Sequence, residues 1–322
     1  MKIFAAHNPD AAIRRESSSG GIFSMLAERI LSGGGTVYGA AFEDDWSVAH
    51  RCVDRPGELW RLRGSKYVYS RIGRSIQHAA SDLAAGRKVL FSGTPCQVAA
   101  ARKQLGDNPL LLLVEVVCHG APEARYWVRY LEELCTKQNH NVGDITQINF
   151  RDKCTGWKKY SMSIVFSDST ELSSFHGENP YFKAFLHNLT LRDGCFKCPF
   201  KYPLGSKADI TLGDFWKLEI IAPDLAKDEG TSLVIARTQN GLEATNGINC
   251  IREFTYKEII KCNSSLTTPA KRPKKYKRFK QETASTKDLI KLFDKWTSPS
   301  LSIIIKIRLK RILDTFKKLI CE

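Results

Sequence analysis

Residues 194–200, GCFKCPF, set Cys195 and Cys198 two residues apart in a chain of ten cysteines. Such a pair serves a redox disulfide, half of a zinc site or half of an iron–sulfur site. Two more cysteines stand at turns: Cys96 after VLFSGTP and Cys118 after LLLVEVV, each just past the carboxyl end of an expected strand. If those strands are parallel, both thiols emerge on the sheet edge along which open α/β sheets bind ligands. With the pair they make four thiolates, the number taken by a cubane iron–sulfur cluster or a structural zinc. Cys52, Cys135, Cys154, Cys250, Cys262 and Cys321 read as space-filling or solvent-facing residues.

A second chemistry lies in SSSGGIF, where Ser18, Ser19, Gly20 and Gly21 precede an expected helix. Small residues there let backbone N–H groups approach an anion, and the helix dipole favours negative charge. The stretch is not a GxGxxG fingerprint, and an ordinary Ser/Gly helix cap is the bland alternative. RLRGSKYVYSRIG mixes Arg61, Arg63 and Lys66 with Tyr67 and Tyr69, cations for phosphate beside rings for a flavin-like heterocycle. NFRDKCTGWKKYSM repeats the mixture with Arg151, Lys153, Trp157 and Lys158. His119, beside Cys118, and Lys66 are the candidate proton-handling groups. Asp209 and Asp214 flank a strand in ADITLGDFW and suit either a ribose or a turn.

The elements that must position these residues are legible in outline. The pattern predicts a helix over residues 22–31, a Gly break at 33–35, a strand over 36–42 and a helix over 73–85. Strand, tight turn and helix follow in KVLFSGTPCQVAAARKQL, then a buried strand ending at Cys118 and a helix over 123–135. Alternation of this kind points to an α/β layer with a mostly parallel or mixed sheet and flanking helices. From residue 145, DITQINFRDK, KYSMSIVFSD and TELSSF read as an antiparallel insertion or subdomain, and NPYFKAFLHNLTLRD as a helix leading into the CxxC. The expected parts are residues 1–140 for an α/β flavin-binding layer, 141–262 for a second α+β part completing the cluster site, and 263–322 for a basic helical tail.

Charge divides the chain the same way. Residues 267–322 hold 16 Lys and Arg against five Asp and Glu, whereas the rest carries 33 bases against 29 acids. KRPKKYKRFK is a compact basic run, and SLSIIIKIRLKRILDTFKKLI reads as a basic amphipathic helix for an acidic partner, an anionic membrane surface or the protein's own body. No base-stacking platform or nucleic-acid motif accompanies it, which sets nucleic acid aside. PLLLLVEVVC is too short to span a bilayer. MKIFAAHNPD lacks a secretory pattern, so the expected compartment is the cytoplasm, with peripheral membrane contact left to the tail.

SSSGGIFSMLA, LRGSKYVYS, VLFSGTPCQVAA, VVCHGAP, FRDKCTGWKKYS, CFKCPF and ADITLGDFW occur in the order seen in the coenzyme F420 hydrogenase/dehydrogenase beta-subunit family. The resemblance spans about residues 10–240, and SGTPCQ followed by CHG is its most specific part. It implies FAD and a [4Fe-4S] cluster that pass electrons between a ferredoxin-like partner and a small-molecule two-electron carrier, of coenzyme F420 type or another kind. Under it, Cys96, Cys118, Cys195 and Cys198 are cluster ligands, and Ser18, Ser19, Gly20, Gly21, Gly64, Ser65, Lys66 and Tyr67 belong to the FAD site. The chain reads as a C-terminal-domain type that starts directly at the flavin part, without a ferredoxin-like region. Two other readings use the same cysteines: a zinc-stapled binding protein with a partner-binding tail, and a thiol–disulfide oxidoreductase using Cys195 and Cys198 alone.

Overall fold

A computed structural model describes residues 1–201 and 205–298. Its strands are β1 (Lys2–Ala6), β2 (Thr36–Phe42), β3 (Val48–Val53), β4 (Val89–Gly93), β5 (Leu111–Val116), β6 (Ile145–Asp152), β7 (Ser161–Phe166), β8 (Glu171–Phe175), β9 (Ile210–Asp214), β10 (Ser232–Ala236) and β11 (Arg252–Glu253). Eight of them form a mixed sheet in the order β11-β1-β10-β9-β5-β4-β2-β3, and β6, β7 and β8 form a separate antiparallel sheet. Within the large sheet β2, β4, β5 and β9 run parallel, as VLFSGTPC and LLLVEVVC require for their thiols to share an edge. β10 is antiparallel to β9, and β1 is antiparallel to β10, so β1 points the same way as the parallel set. The chain therefore leaves β1, β4, β5 and β9 at one edge of the sheet.

The segments that close this edge come from short helices. Thr94 caps the helix α1 (Pro95–Leu105) in a reciprocal capping box with Gln97, which fixes Cys96 in the first turn. The Gln97 amide also donates to the Ser70 carbonyl at 2.9 Å. His50 on β3 completes this support. Its Nε2–H donates to the Ser92 carbonyl at 3.0 Å and its Nδ1 accepts from the Ser70 hydroxyl at 2.8 Å.

Burial holds His50 neutral, lowering its pKa from 6.5 to about 4 despite the opposing bond to Ser92. Between those values the unfolded state takes up the proton and the folded state does not, so stability rises with pH through that window. Wild type is expected to lose about 3 kcal/mol from this group as pH falls from 6.5 to 4. His50→Gln should flatten that slope in urea titrations at both pH values; an unchanged slope would remove His50 as its origin.

The small sheet packs against the helices Ala124–Lys137 and Pro180–Leu186 in a core rich in rings, including Trp127, Tyr130, Phe150, Tyr181 and Phe182. The helices Tyr276–Ser285 and Leu289–Thr297 join it through Phe279, Leu289, Leu292 and Phe293. Residues 276–297 are thus part of the packed body, basic surface included. The expected amphipathic helix in SLSIIIKIRLKRILDTFKKLI lies outside the described residues. No described helix is long and apolar enough to cross a membrane.

Candidate functional site

A cleft of about 690 Å³ opens along the carboxyl edge of the parallel strands, within the range for a ligand site. Ser18, Ser19, Gly21, Arg63, Gly64, Ser65, Lys66 and Tyr67 line it, as do Cys118 and His119. Two segments far apart in the sequence meet here: the Ser18 hydroxyl accepts from the Ser65 amide at 2.6 Å.

The Ser/Gly turn needs both of its glycines for different reasons. A Cβ on Gly20 would lie 2.7 Å from the Ala6 carbonyl and 2.8 Å from the Ser232 amide, so Gly20 lets the turn sit down on β1 and β10 rather than face the cleft. Gly21 takes φ 82°, a left-handed conformation that favours glycine, and starts the helix Ile22–Ser32 with no side-chain cap. The first amides of that helix are thus left open to an anion.

The turn is pinned from behind by a motif that sequence reasoning treated as a separate ligand site. Arg151 Nη2 and Trp157 Nε1 both donate to the Ser18 carbonyl at 3.1 Å. Lys153 Nζ donates to the carbonyls of Ser19 and Arg14, each at 2.8 Å. Arg151 Nη1 also reaches the Tyr67 hydroxyl and Asp214 Oδ2, both at 3.1 Å, while its guanidinium lies 4.0 Å from the Tyr160 ring centre. Burial opposes the Arg151 charge, but Asp214, with Tyr67 and Tyr160, more than offsets it, so its pKa is raised. Asp214 is thereby an anchor of the cleft wall. Asp209 accepts from Arg102, Thr238 and the Leu113 amide and is 3% exposed, which makes it structural.

Of the expected flavin-site cations, Arg63 is occupied by an ion pair with Glu16 and a bond to Ser24 Oγ at 3.1 Å. Lys66 Nζ donates to the carbonyls of Arg61 and Arg63, both at 2.9 Å, which folds the loop around its ammonium. Burial lowers its pKa to about 7 although the side chain still lines the cleft. His119 donates from Nε2 to Asn188 Oδ1 at 2.6 Å, and Asn188 in turn donates to the Lys271 carbonyl. That bond fixes the tautomer, so the neutral ring offers a bare Nδ1, an acceptor rather than a proton donor. Burial lowers the His119 pKa, with Lys201 adding to it and the Asn188 bond opposing.

The four singled-out cysteines are neighbours, near enough for the charges of Cys96, Cys195 and Cys198 to act on Cys118. Burial pushes the Cys118 thiol up to about 12; Lys201 opposes this, while the charges of Cys195, Cys96 and Cys198 add to it. Cys195 is raised by burial and also feels Cys96 and Cys198. Cys195 Sγ accepts from the Ala121 amide at 3.4 Å, Cys96 Sγ lies 3.2 Å from Thr94 Oγ1, and Lys201 Nζ donates to the Cys118 carbonyl at 2.6 Å. The CxxC itself sits on a short 3-10 turn, Asp193–Lys197, with Cys198 as its cap. Among the described residues no three His, Cys, Asp or Glu side chains converge on a single-ion site.

Arg151 and Lys153 were legible as ligand-binding cations but not as supports of the turn, and Lys201 and the Ser70–His50–Gln97 support were not legible at all. Their role comes from partners distant in the sequence, and only the FRDK…GW spacing offered a signal. The expected long helix over NPYFKAFLHNLTLRD stops at Leu186, where Asn188 turns left-handed at φ 62° and swings its amide to His119.

Comparison with known proteins agrees with this architecture. Residues 86–262 match the family model for the C-terminal part of the coenzyme F420 hydrogenase/dehydrogenase beta subunit, and residues 3–77 match the model for its N-terminal part. The second match corrects the expectation of a C-terminal-domain type, since the family's N-terminal part is present in β1 to β3 and their connections. No curated protein matches the sequence. A solved chain of the F420-reducing [NiFe] hydrogenase complex from Methanosarcina barkeri shares the fold, with a TM-score of 0.53 and 18% identity over 89% of this chain and 94% of that one. With more than half its length in the C-terminal model and its first strands in the N-terminal one, the chain belongs to the coenzyme F420 hydrogenase/dehydrogenase beta-subunit family.

Proposed function

We propose that this chain is an iron–sulfur flavoprotein oxidoreductase, in which Cys96, Cys118, Cys195 and Cys198 hold a [4Fe-4S] cluster and the adjoining cleft holds FAD. The observation that carries the reading is the presence of four neighbouring thiols beside a ligand-sized cleft, Cys118 belonging to both. When bound, the cluster supplies one-electron steps and the flavin exchanges two electrons with a small organic carrier.

The donor set fits the cluster. A thiol as buried as Cys118 ionises only against a cation, and metal ligation supplies one. A tetrahedral zinc, with Zn–S near 2.3 Å, needs all its sulfurs on one point, whereas a cubane takes one thiolate per iron corner. The thiol–disulfide reading loses support because an attacking cysteine needs a lowered pKa, and burial raises that of Cys195.

The cleft fits a dinucleotide. Uncapped amides of the helix Ile22–Ser32 offer donors to a pyrophosphate, while Lys153 and Arg151 hold that turn in place. Lys66, poised near neutrality, can neutralise a reduced flavin, and His119 Nδ1 can accept a proton at the cysteine end. Protein purified without oxygen is expected to be brown-yellow, with flavin and about four irons per chain. Zinc without iron or flavin would establish the stapled alternative instead.

A further inference from the structure

We infer that the exposed cations of residues 271–278, together with Lys197, form the docking face for an acidic one-electron carrier protein. This rests on the reading of the four cysteines as a redox centre, and adds where its protein partner sits.

The run KRPKKYKRFK is fixed on the element that carries the CxxC. Arg272 pairs with Asp193 at 2.9 Å, at the start of the 3-10 turn bearing Cys195, and its guanidinium lies 5.0 Å from the Phe196 ring centre. Phe196 meets Tyr276 edge-on at 4.9 Å, and the Tyr276 hydroxyl donates to the Leu191 carbonyl at 2.6 Å. The Lys271 carbonyl is tied through Asn188 to His119, next to Cys118. The turns of Cys118 and Cys195 are thus both bound to one basic segment.

Its charge is directed outward. Lys271, Arg272, Lys274, Lys275, Lys277 and Arg278 are exposed, while Tyr276 and Phe279 are buried as anchors. The acids that face the segment are already engaged: Asp193 by Arg272 and Lys280, Glu282 by Arg278 and Lys295, and Glu123 by Arg125 and Lys280. Lys271, Lys274, Lys277 and Lys197 have no carboxylate partner among the described residues. Cys96 is exposed and Cys195 and Cys198 are half-buried, so a centre held there lies close to the surface.

A cationic face beside a near-surface redox centre suits a carrier with an acidic face, because complementary charge speeds encounter and sets orientation without a large apolar contact. An anionic membrane is the poorer occupant. Interfacial binding needs apolar side chains to insert, and none of the exposed large apolar residues falls within 271–298.

The test is binding, read separately from turnover. Oxidised, strongly acidic bacterial ferredoxin is titrated into the full-length protein by calorimetry at about 20 mM and about 300 mM salt. Measurable binding that weakens at least tenfold with salt, and again roughly tenfold in Lys271→Gln/Lys274→Gln/Lys277→Gln, is the expected result. A control with the same net charge, Arg55→Gln/Lys227→Gln/Lys257→Gln, should bind as wild type. Equal binding by the triple variant, equal losses in both variants, or binding to phosphatidylglycerol vesicles but not to ferredoxin would overturn the assignment. Iron and flavin contents of the same samples judge the redox reading independently of the docking face.

Discussion

Cys118→Ser is expected to give a folded protein that has lost its iron. The serine hydroxyl is close in size to the thiol, and although the sulfur itself is desolvated the residue as a whole keeps part of its surface exposed, so stability should change by no more than about 2 kcal/mol. Ligation should suffer far more. A neutral hydroxyl does not replace a thiolate on iron, and loss of a ligand should cost at least the tenfold to hundredfold that loss of a ligand's hydrogen-bond partner costs. Iron per chain and the broad visible absorbance should therefore fall by about an order of magnitude after anaerobic purification. Cys154→Ser, at an exposed turn outside the set, should keep both. If Cys118→Ser retained full iron, the four-cysteine assignment would fail; if it retained CxxC-dependent disulfide exchange in an iron-free protein, the thiol–disulfide reading would replace it.

Arg151→Met should produce the largest loss of stability of any single change in the cleft. Its guanidinium has 2% side-chain exposure and serves the Ser18 carbonyl, the Tyr67 hydroxyl and Asp214, which has 17%. A methionine fills much of the volume but leaves the Asp214 carboxylate with Trp157 Nε1 at 3.3 Å as its remaining side-chain partner. Breaking one side of a buried pair costs about 3–5 kcal/mol, most of it the uncompensated charge left behind. Arg151→Lys should recover only part of this, because one ammonium cannot span three acceptors in the guanidinium plane. Urea midpoints would measure the loss, and retained flavin per chain should fall with it as the Ser18 and Tyr67 segments lose their common tie. A variant as stable as wild type would remove Arg151 from the centre of the cleft wall.

The parts of the fold that could be read from sequence are those whose signal is local. VLFSGTPCQ and LLLVEVVC carry long apolar runs that end in punctuated turns, and they are neighbouring parallel strands with Gly93 opposite Glu115. The helix Ile22–Ser32 was bounded by Gly21 before it and Gly33 after it. β1 and β3 gave no such signal, because MKIFAA and VAHRCV are short and acquire their strand character from partners distant in sequence or from a tight antiparallel return. The candidate site divides the same way. Its cysteines and small residues were visible as types and spacings, whereas Arg151 and Lys153 look like ligand-binding cations until their acceptors, the Ser18 and Ser19 carbonyls, are seen to be the protein's own. The basic run looked like part of a tail because its charge hides Tyr276 and Phe279, which bind it to the body.

The position of β1 has a consequence for the order of events during synthesis. It leaves the ribosome before every other strand of its sheet, yet its sheet partners are β10 and β11, in residues 232–253. Through most of elongation both its edges lack their native neighbours, a state that invites wrong pairing and calls for chaperone cover. The Ser/Gly turn rests on that same strand and on Ser232. On the proposed function, cofactor loading at this turn would wait until β10 has been made, and a nascent chain stalled before β10 would be expected to emerge colourless.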